Sequence, residues 1–260
     1  MDTFDYKKSA GLTALTASIA EFRYTKHCHE EYAVGVTLRG SQQFHLDGSL
    51  LTSRPGEAML FNPGQVHDGM SREKTGIDYV MLYIDPELLC AASGIKEPVR
   101  FSAPVVNDPA LRRRILSLVR AVSGGREDAL CSELLLGFAE HVAGPPGSAA
   151  HAKNSALVCR VEDMIRGDVD RDQALKLADI CLEIHVPKYT LIRMFKASTG
   201  ISPYQFYLNC KVEKAKQIIQ HRKDVYLAVA ECGFVDLSHL NRNFKSRYGV
   251  TAYEYLTGIQ

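Results

Sequence analysis

Apolar positions in the first hundred residues fall in short β-branched or aromatic runs, at 33–38, 43–46, 58–61 and 79–84. Turn signals part them: Arg39-Gly40-Ser41, Asp47-Gly48-Ser49, Arg54-Pro55-Gly56 and Asn62-Pro63-Gly64. Strands so short and so closely spaced predict an antiparallel sandwich or barrel. From Pro109 the period lengthens. Leu111, Ile115, Leu118, Val119 and Val122 recur at helical spacing, Gly124-Gly125 interrupts, and Leu130, Leu134, Phe138 and Val142 resume the stripe. That pattern predicts two helices closed into an antiparallel hairpin. Gly144-Pro145-Pro146-Gly147-Ser148-Ala149-Ala150 has the composition of a linker. The expected division is a first domain at 1–143, a linker at 144–153 and a second domain at 154–260, helical in pattern throughout.

Inside the second domain a unit recurs. Leu191-Ile192-Arg193-Met194-Phe195-Lys196, followed by Gly200-Ile201-Ser202, returns as Leu240-Asn241-Arg242-Asn243-Phe244-Lys245, followed by Gly249-Val250-Thr251. An amphipathic stretch precedes each copy, marked by Leu177, Ile180 and Cys181 in one and by Val225, Ala228 and Val229 in the other. Turns at His185-Val186 and Gly233-Phe234 join stretch to copy. Helix, tight turn, helix with Leu and Phe inward is the layout of a helix-turn-helix. The faces expected outward are then Lys188, Tyr189, Ile192, Arg193 and Lys196 in the first unit, and Leu237, Ser238, His239, Arg242 and Lys245 in the second. Arginine forks onto guanine O6 and N7, so Arg193 and Arg242 are the candidate base readers. Lys196 and Lys245 suit phosphates. One such face alone is an ordinary solvated helix; two in register point to double-stranded DNA. Between the copies, Ser202-Pro203 starts a helix with the stripe Leu208, Val212, Ala215 and Ile219. Run from Pro203 to Gln220, it is a strut of about 27 Å, comparable with the ~34 Å of one DNA turn.

The segment from about 177 to 256 resembles the double helix-turn-helix of the AraC/XylS family of bacterial transcription regulators. The diagnostic stretch is Cys232-Gly233-Phe234-Val235-Asp236-Leu237-Ser238-His239-Leu240, then Arg242, Phe244-Lys245, Gly249-Val250-Thr251 and Tyr255. The resemblance implies recognition helices at about 187–198 and 236–247 that enter successive major grooves. His185 stands where the family favours glycine in the turn, and Pro187 where a serine cap is usual. Cys181 and Val229 stand where alanine is common.

Charge agrees with that division. The formal net charge is only +1, but residues 1–151 carry −3 and residues 152–260 carry +4, which suits a polyanion partner for the second domain. Seven cysteines without a single CxxC read as reduced core residues, not as a disulfide framework or a zinc finger. No apolar run is long enough to span a membrane and no secretory signal is visible, so a cytoplasmic chain without a membrane partner is expected.

The chemistry of the first domain centres on His27-Cys28-His29 and His67. On one strand His27 and His29 point to the same face, and imidazoles paired this way are ready metal ligands. With Gly40, Gly56 and Gly64, the pattern resembles the two motifs of cupins, small antiparallel barrels with a ligand pocket in the mouth. It also resembles the arabinose-binding-type sensor half of AraC/XylS proteins, most closely at Asn62-Pro63-Gly64-Gln65-Val66-His67-Asp68-Gly69. The fold class implied is α+β, a cupin-like antiparallel barrel with a helical hairpin followed by an all-α double helix-turn-helix domain. The implied effector-binding set is His27, His29, Asn62, His67, Tyr79, Met81 and Tyr83, the last three sharing one strand face. Cupin enzymes place a glutamate where this chain has Ala33; Glu31 shares the histidine face by parity only if the strand runs unbroken. That loss argues against an enzyme. His27, His29 and His67 are also a metal set suited to zinc, nickel or iron, with no cofactor assigned; alternatively they hydrogen-bond an organic effector. His45, on a separate strand, reads as exposed. By resemblance the hairpin makes a homodimer through Leu111, Ile115, Leu118, Leu130, Leu134 or Phe138, and Arg112-Arg113-Arg114 is a solvated face. The expected function is a transcriptional regulator that answers a small-molecule effector, binds a DNA operator, and meets RNA polymerase if it activates. A metal-responsive regulator and a cupin enzyme with an appended DNA-binding module are the alternatives.

Overall fold

The computed structural model describes residues 2–73, 75–95, 97–143, 155–248 and 250–258. The chain divides into two compact units, Met1–Ala149 and Ala150–Gln260. The linker expected at 144–153 lies outside the described residues.

Among the described residues the first unit holds ten strands: β1 (Thr3–Ser9), β2 (Leu12–Ile19), β3 (Arg23–His27), β4 (Tyr32–Arg39), β5 (Gln42–Leu46), β6 (Ser49–Ser53), β7 (Ala58–Phe61), β8 (His67–Ser71), β9 (Ile77–Ile84) and β10 (Val105–Val106). They form two antiparallel sheets, ordered β1-β2-β9-β4-β7-β10 and β3-β8-β5-β6. Leu15, Ile19, Phe61, Ile77, Tyr79 and Met81 from one sheet meet Phe44 and Leu46 from the other in a single buried cluster, as in a cupin-like barrel. The four runs read from the sequence are β4, β5, β7 and β9. The other strands carry fewer bulky residues; for β1 the alternation in Thr3-Phe4-Asp5-Tyr6 is a period-two signal. Gly35 lets the middle of the large sheet close. A Cβ there would stand 2.4 Å from the Val80 carbonyl oxygen and 2.8 Å from the Met81 sulfur, so only glycine fits between β4 and β9.

Among its described residues this unit also has the helices α1 (Pro86–Ser93), α2 (Pro109–Ser123) and α3 (Asp128–Ala143). Asp108 caps α2 by accepting from the Ala110 and Leu111 amides. α2 buries Leu111, Ile115, Leu118, Val119 and Val122, the stripe its sequence predicts. α3 departs from expectation. It turns Ala129, Cys131, Ser132, Leu135, Leu136, Phe138 and Ala139 inward because it packs against both α1 and α2. Leu130 and Leu134 are left half-buried. Of the residues expected in a dimer contact, Leu111, Ile115, Leu118 and Phe138 are therefore consumed inside the unit.

The second unit is helical: α4 (Ser155–Asp170), α5 (Leu177–Ile184), α6 (Lys188–Thr199), α7 (Pro203–Arg222), α8 (Val225–Glu231), α9 (Leu237–Tyr248) and α10 (Ala252–Gly258). Ser202 caps α7 by accepting from the Gln205 amide, and Leu208, Val212, Ala215 and Ile219 are all buried along it. α5 with α6, and α8 with α9, are the two helix-turn-helix units. Their turns match: His185 and Gly233 both take a left-handed backbone, at φ +56° and +58°.

Glycine adopts that conformation freely, whereas a side chain there costs about 1–2 kcal/mol. His185 is exposed and its side chain is not needed for packing. His185→Gly should raise stability by about 0.5–1 kcal/mol, the strain relieved less the extra freedom glycine gives the unfolded chain. Urea unfolding checks this; a lower midpoint than wild type would contradict it.

Candidate functional site

His27 ends β3 and lies opposite His67 on β8 in the cross-strand register. His29 is already past the end of β3, so shared strand parity does not bring it in. The loop does: the Gly64 amide donates to the His29 carbonyl at 2.7 Å, pinning it against the Asn62-Pro63-Gly64 turn. The ring centroids of His27 and His67 are 4.5 Å apart, those of His27 and His29 4.9 Å, and those of His29 and His67 5.3 Å. One ring nitrogen from each of the three lies within 4.8 Å of the others.

Their hydrogen bonds define which nitrogen is available. His27 Nδ1 donates to the Thr25 carbonyl at 2.7 Å and His67 Nδ1 to the Gln65 carbonyl at 2.9 Å. A carbonyl only accepts, so each Nδ1 carries the proton and each Nε2 keeps a lone pair. Burial drives the His67 imidazole down to about 4, helped by His27 and His29 and resisted by the bond to Gln65. Burial, with His27 beside it, also lowers His29.

The three rings border a cavity of about 160 Å³ lined further by Tyr6, Tyr24, Ala33, Gln42, Phe61, Asp68, Tyr79, Met81 and Tyr83. Phe61 stacks on His67 with centroids 4.3 Å apart. Tyr24 and Tyr79 share a hydroxyl hydrogen bond of 2.7 Å. Burial raises the Tyr79 and Tyr83 phenols, which remain neutral. Tyr79, Met81 and Tyr83 thus stand where the sequence put them, and Ala33 confirms that its position faces the cavity. Tyr6 and Tyr24 were missed; the alternation of β1 and the aromatic at 24 were the available signals. Two expectations are corrected. Asn62 does not line the cavity: its amide bonds the Phe101 backbone in both directions and Gln65 Oε1, which ties the turn to the 101 segment. Glu31 does not share a strand face with the histidines, because β3 stops at His27 and β4 begins at Tyr32. His45 is exposed, as its sequence position suggested, and pairs with Asp68 at 2.9 Å.

In the second unit α6 and α9 present unequal faces. Tyr189 and Ile192, expected outward, are 5% and 1% exposed. α6 packs against α4, α5 and α7, so its buried face widens to include both. Lys188 and Arg193 are half-buried and Lys196 is exposed; the Lys188 ammonium lies 5.5 Å from the Tyr189 ring centroid. α9 buries only Leu240 and Phe244. Ser238, Arg242 and Lys245 are exposed and His239 is half-buried. Leu237 is half-buried and packs on the core of this unit. Asp236 caps α9 through the His239 amide at 2.6 Å, whereas Pro187 gives α6 no side-chain cap. A wider groove of about 790 Å³ along α4 and α5 has walls closed by the ion pairs Arg160–Glu183 and Arg171–Asp168.

Residues 9–139 match the model of an AraC-like ligand binding domain, and residues 180–258 that of a helix-turn-helix domain. The chain is 22% identical over 230 residues to the HTH-type transcriptional regulator YbfI of Bacillus subtilis, spanning 84% of this chain and 82% of that protein. It is 25% identical over 118 residues to the HTH-type transcriptional activator RhaS of Escherichia fergusonii, 39% of this chain and 42% of that one. An apo ToxT variant from Vibrio cholerae aligns over 98% of this chain and 100% of its own, at 13% identity and a TM-score of 0.39.

The His67 environment has a measurable consequence. Its ordinary value of 6.5 holds in the unfolded chain, against about 4 in the fold. Above pH 6.5 both states are neutral and stability is flat; as pH falls from about 6.5 toward 4 the unfolded state takes the proton first, so the fold loses stability. Ring NMR of the metal-free protein should find His67 neutral at pH 5. A ring already protonated at pH 6 would contradict this.

Proposed function

The chain belongs to the AraC-like family of DNA-binding transcriptional regulators, and from that membership we propose that a small molecule in the three-histidine cavity sets how α6 and α9 are offered to DNA. The observation that carries the reading is the pairing of Arg193 with Arg242, the same position in two repeated units. Each follows a left-handed turn and stands on the polar side of its helix. These arginines read base edges. Lys188, Lys196, Ser238, His239 and Lys245 flank them and meet phosphates, while Tyr189, Ile192 and Leu237 hold the two helices in place. The effector acts by binding one arrangement of the regulator better than another. The half-buried Leu130 and Leu134 of α3 supply the pairing surface of a homodimer. The assembled protein works in the cytoplasm and meets RNA polymerase if it activates. It regulates without catalysing, since Ala33 puts a methyl group where a catalytic carboxylate would stand.

A metal-responsive version is favoured by one observation, the fixed tautomers. Metal-binding histidines characteristically donate the second ring N–H to a carbonyl or carboxylate, as His27 and His67 do here. The set fits zinc, nickel or iron; His27, His29 and His67 would hold the ion, which would supply a Lewis-acidic position for an effector oxygen. Metal analysis of the purified protein decides this version: a near-equimolar metal lost in His29→Ala supports it, and metal-free protein that still responds to effector overturns it.

For the DNA face, Arg193→Ala and Arg242→Ala should each weaken specific binding by about 1–3 kcal/mol and relax preference at one base position. Lys245→Ala should weaken all sequences alike and lower the salt slope by about one. Fluorescence anisotropy across a salt series reads both effects. Wild-type specificity in both arginine variants would contradict the assignment.

A further inference from the structure

We propose that the barrel cavity takes an uncharged monocyclic phenol or catechol, its hydroxyl donating to the imidazole lone pairs and its ring packed against Phe61 and Met81. This rests on the effector reading above and narrows it to a chemical class.

Size sets the first limit. The cavity holds about 160 Å³, and a cavity of roughly 150 Å³ accommodates one benzene ring. Nucleotides and disaccharides are too large. Charge sets the second. Among the described residues that line the cavity there is no Lys or Arg. The one carboxylate, Asp68, is already bonded by the His45 amide and ring. A phosphate or carboxylate ligand would lose its water with no counter-charge to replace it, which burial penalises heavily.

Polarity sets the third limit. The Nδ1–H groups of His27 and His67 are spent on the Thr25 and Gln65 carbonyls, so the Nε2 atoms of these two rings accept and the matching ligand group donates. Tyr24 and Tyr79 are hydrogen-bonded to each other at 2.7 Å, one hydroxyl donating and the other accepting. Much of the remaining wall is apolar, with Ala33, Phe61 and Met81 buried around it. A hexose would bring hydroxyls on every edge of its ring, and those facing the apolar walls would lose water without a partner. A flat ring with one or two hydroxyls on one edge meets the acceptors and leaves its faces to the aromatic and methionine side chains.

The test uses the full chain, treated with chelator, in isothermal titration and thermal-shift measurements with phenol, catechol, benzoate, glucose and glucose 6-phosphate. Phenol or catechol should bind and raise Tm, while the other three should not. Ala33→Leu, which fills the cavity, should abolish the shift, and His67→Phe should weaken binding by about tenfold, as loss of one good acceptor does; circular dichroism establishes that both variants fold. Phenol binding that survives Ala33→Leu, or that appears only after zinc is added, overturns the proposal. So does the absence of any phenol or catechol binding. Binding of glucose or its phosphate in place of the phenols overturns the class and leaves the effector reading standing. A promoter reporter separates the two claims: if Ala33→Leu leaves regulation unchanged in cells, the effector reading itself fails.

Discussion

Three polar side chains on α7 tie that rod to the segment ahead of the first helix-turn-helix unit and to the turn of the second. Tyr207 Oη donates to the Gln173 carbonyl and Lys214 Nζ to the Val169 carbonyl, both ahead of the first unit; Lys211 Nζ donates to the Gly233 carbonyl, the turn of the second. Lys211 is only 3% exposed, with its ammonium 4.7 Å from the Phe234 ring centroid and 5.2 Å from that of Tyr207. A buried ammonium is tolerated only while its hydrogen bonds are kept. Sliding or turning α7 by one residue would break the bond to Gly233. That bond holds the second turn in register against the rod, and with it the start of α9. At twenty residues, α7 is about 30 Å long, and α9 packs along its middle, where Arg247 donates to the Asn209 carbonyl and pairs with Glu213.

The cavity of the first unit follows an analogous rule with neutral groups. Two strands end side by side at His27 and His67, and their backbone carbonyls fix the tautomers before any ligand arrives. Desolvation keeps His67 neutral, so three imidazoles can crowd within 4.8 Å without mutual charge repulsion. What they hold in common is lone-pair density, which an incoming donor relieves. The site is preorganised for that partner in the sense that little has to move or change protonation on binding.

Much of this was legible in the sequence where a pattern repeats or a residue type is unusual. The 191–196 and 240–245 copies located α6 and α9, and the glycine turn at 124–125 located the hairpin. Convergence of His27, His29 and His67 was also foreseen, though the reason lay in a loop bond to Gly64 and not in strand parity. What failed depends on packing that no local pattern encodes. Tyr189 and Ile192 look amphipathic by themselves, and become core because α4 and α7 both close on α6. The stripe Leu130 and Leu134 is as regular as its neighbours, but α1 turns α3 so that Leu135 and Leu136 face inward in their place, while Phe138 of the same stripe is buried as read. Asn62 sits in the most family-like stretch of the barrel and serves the 101 segment instead of the cavity.

The rigid spacing imposed by α7 is the claim on which the DNA-binding account stands. Hydroxyl-radical footprinting of the full chain on a duplex selected from random sequence tests it directly. Each DNA-binding unit should protect two backbone patches on one face of the duplex, about one helical turn apart. A single protected patch per unit, or two patches half a turn apart on opposite faces, would contradict it.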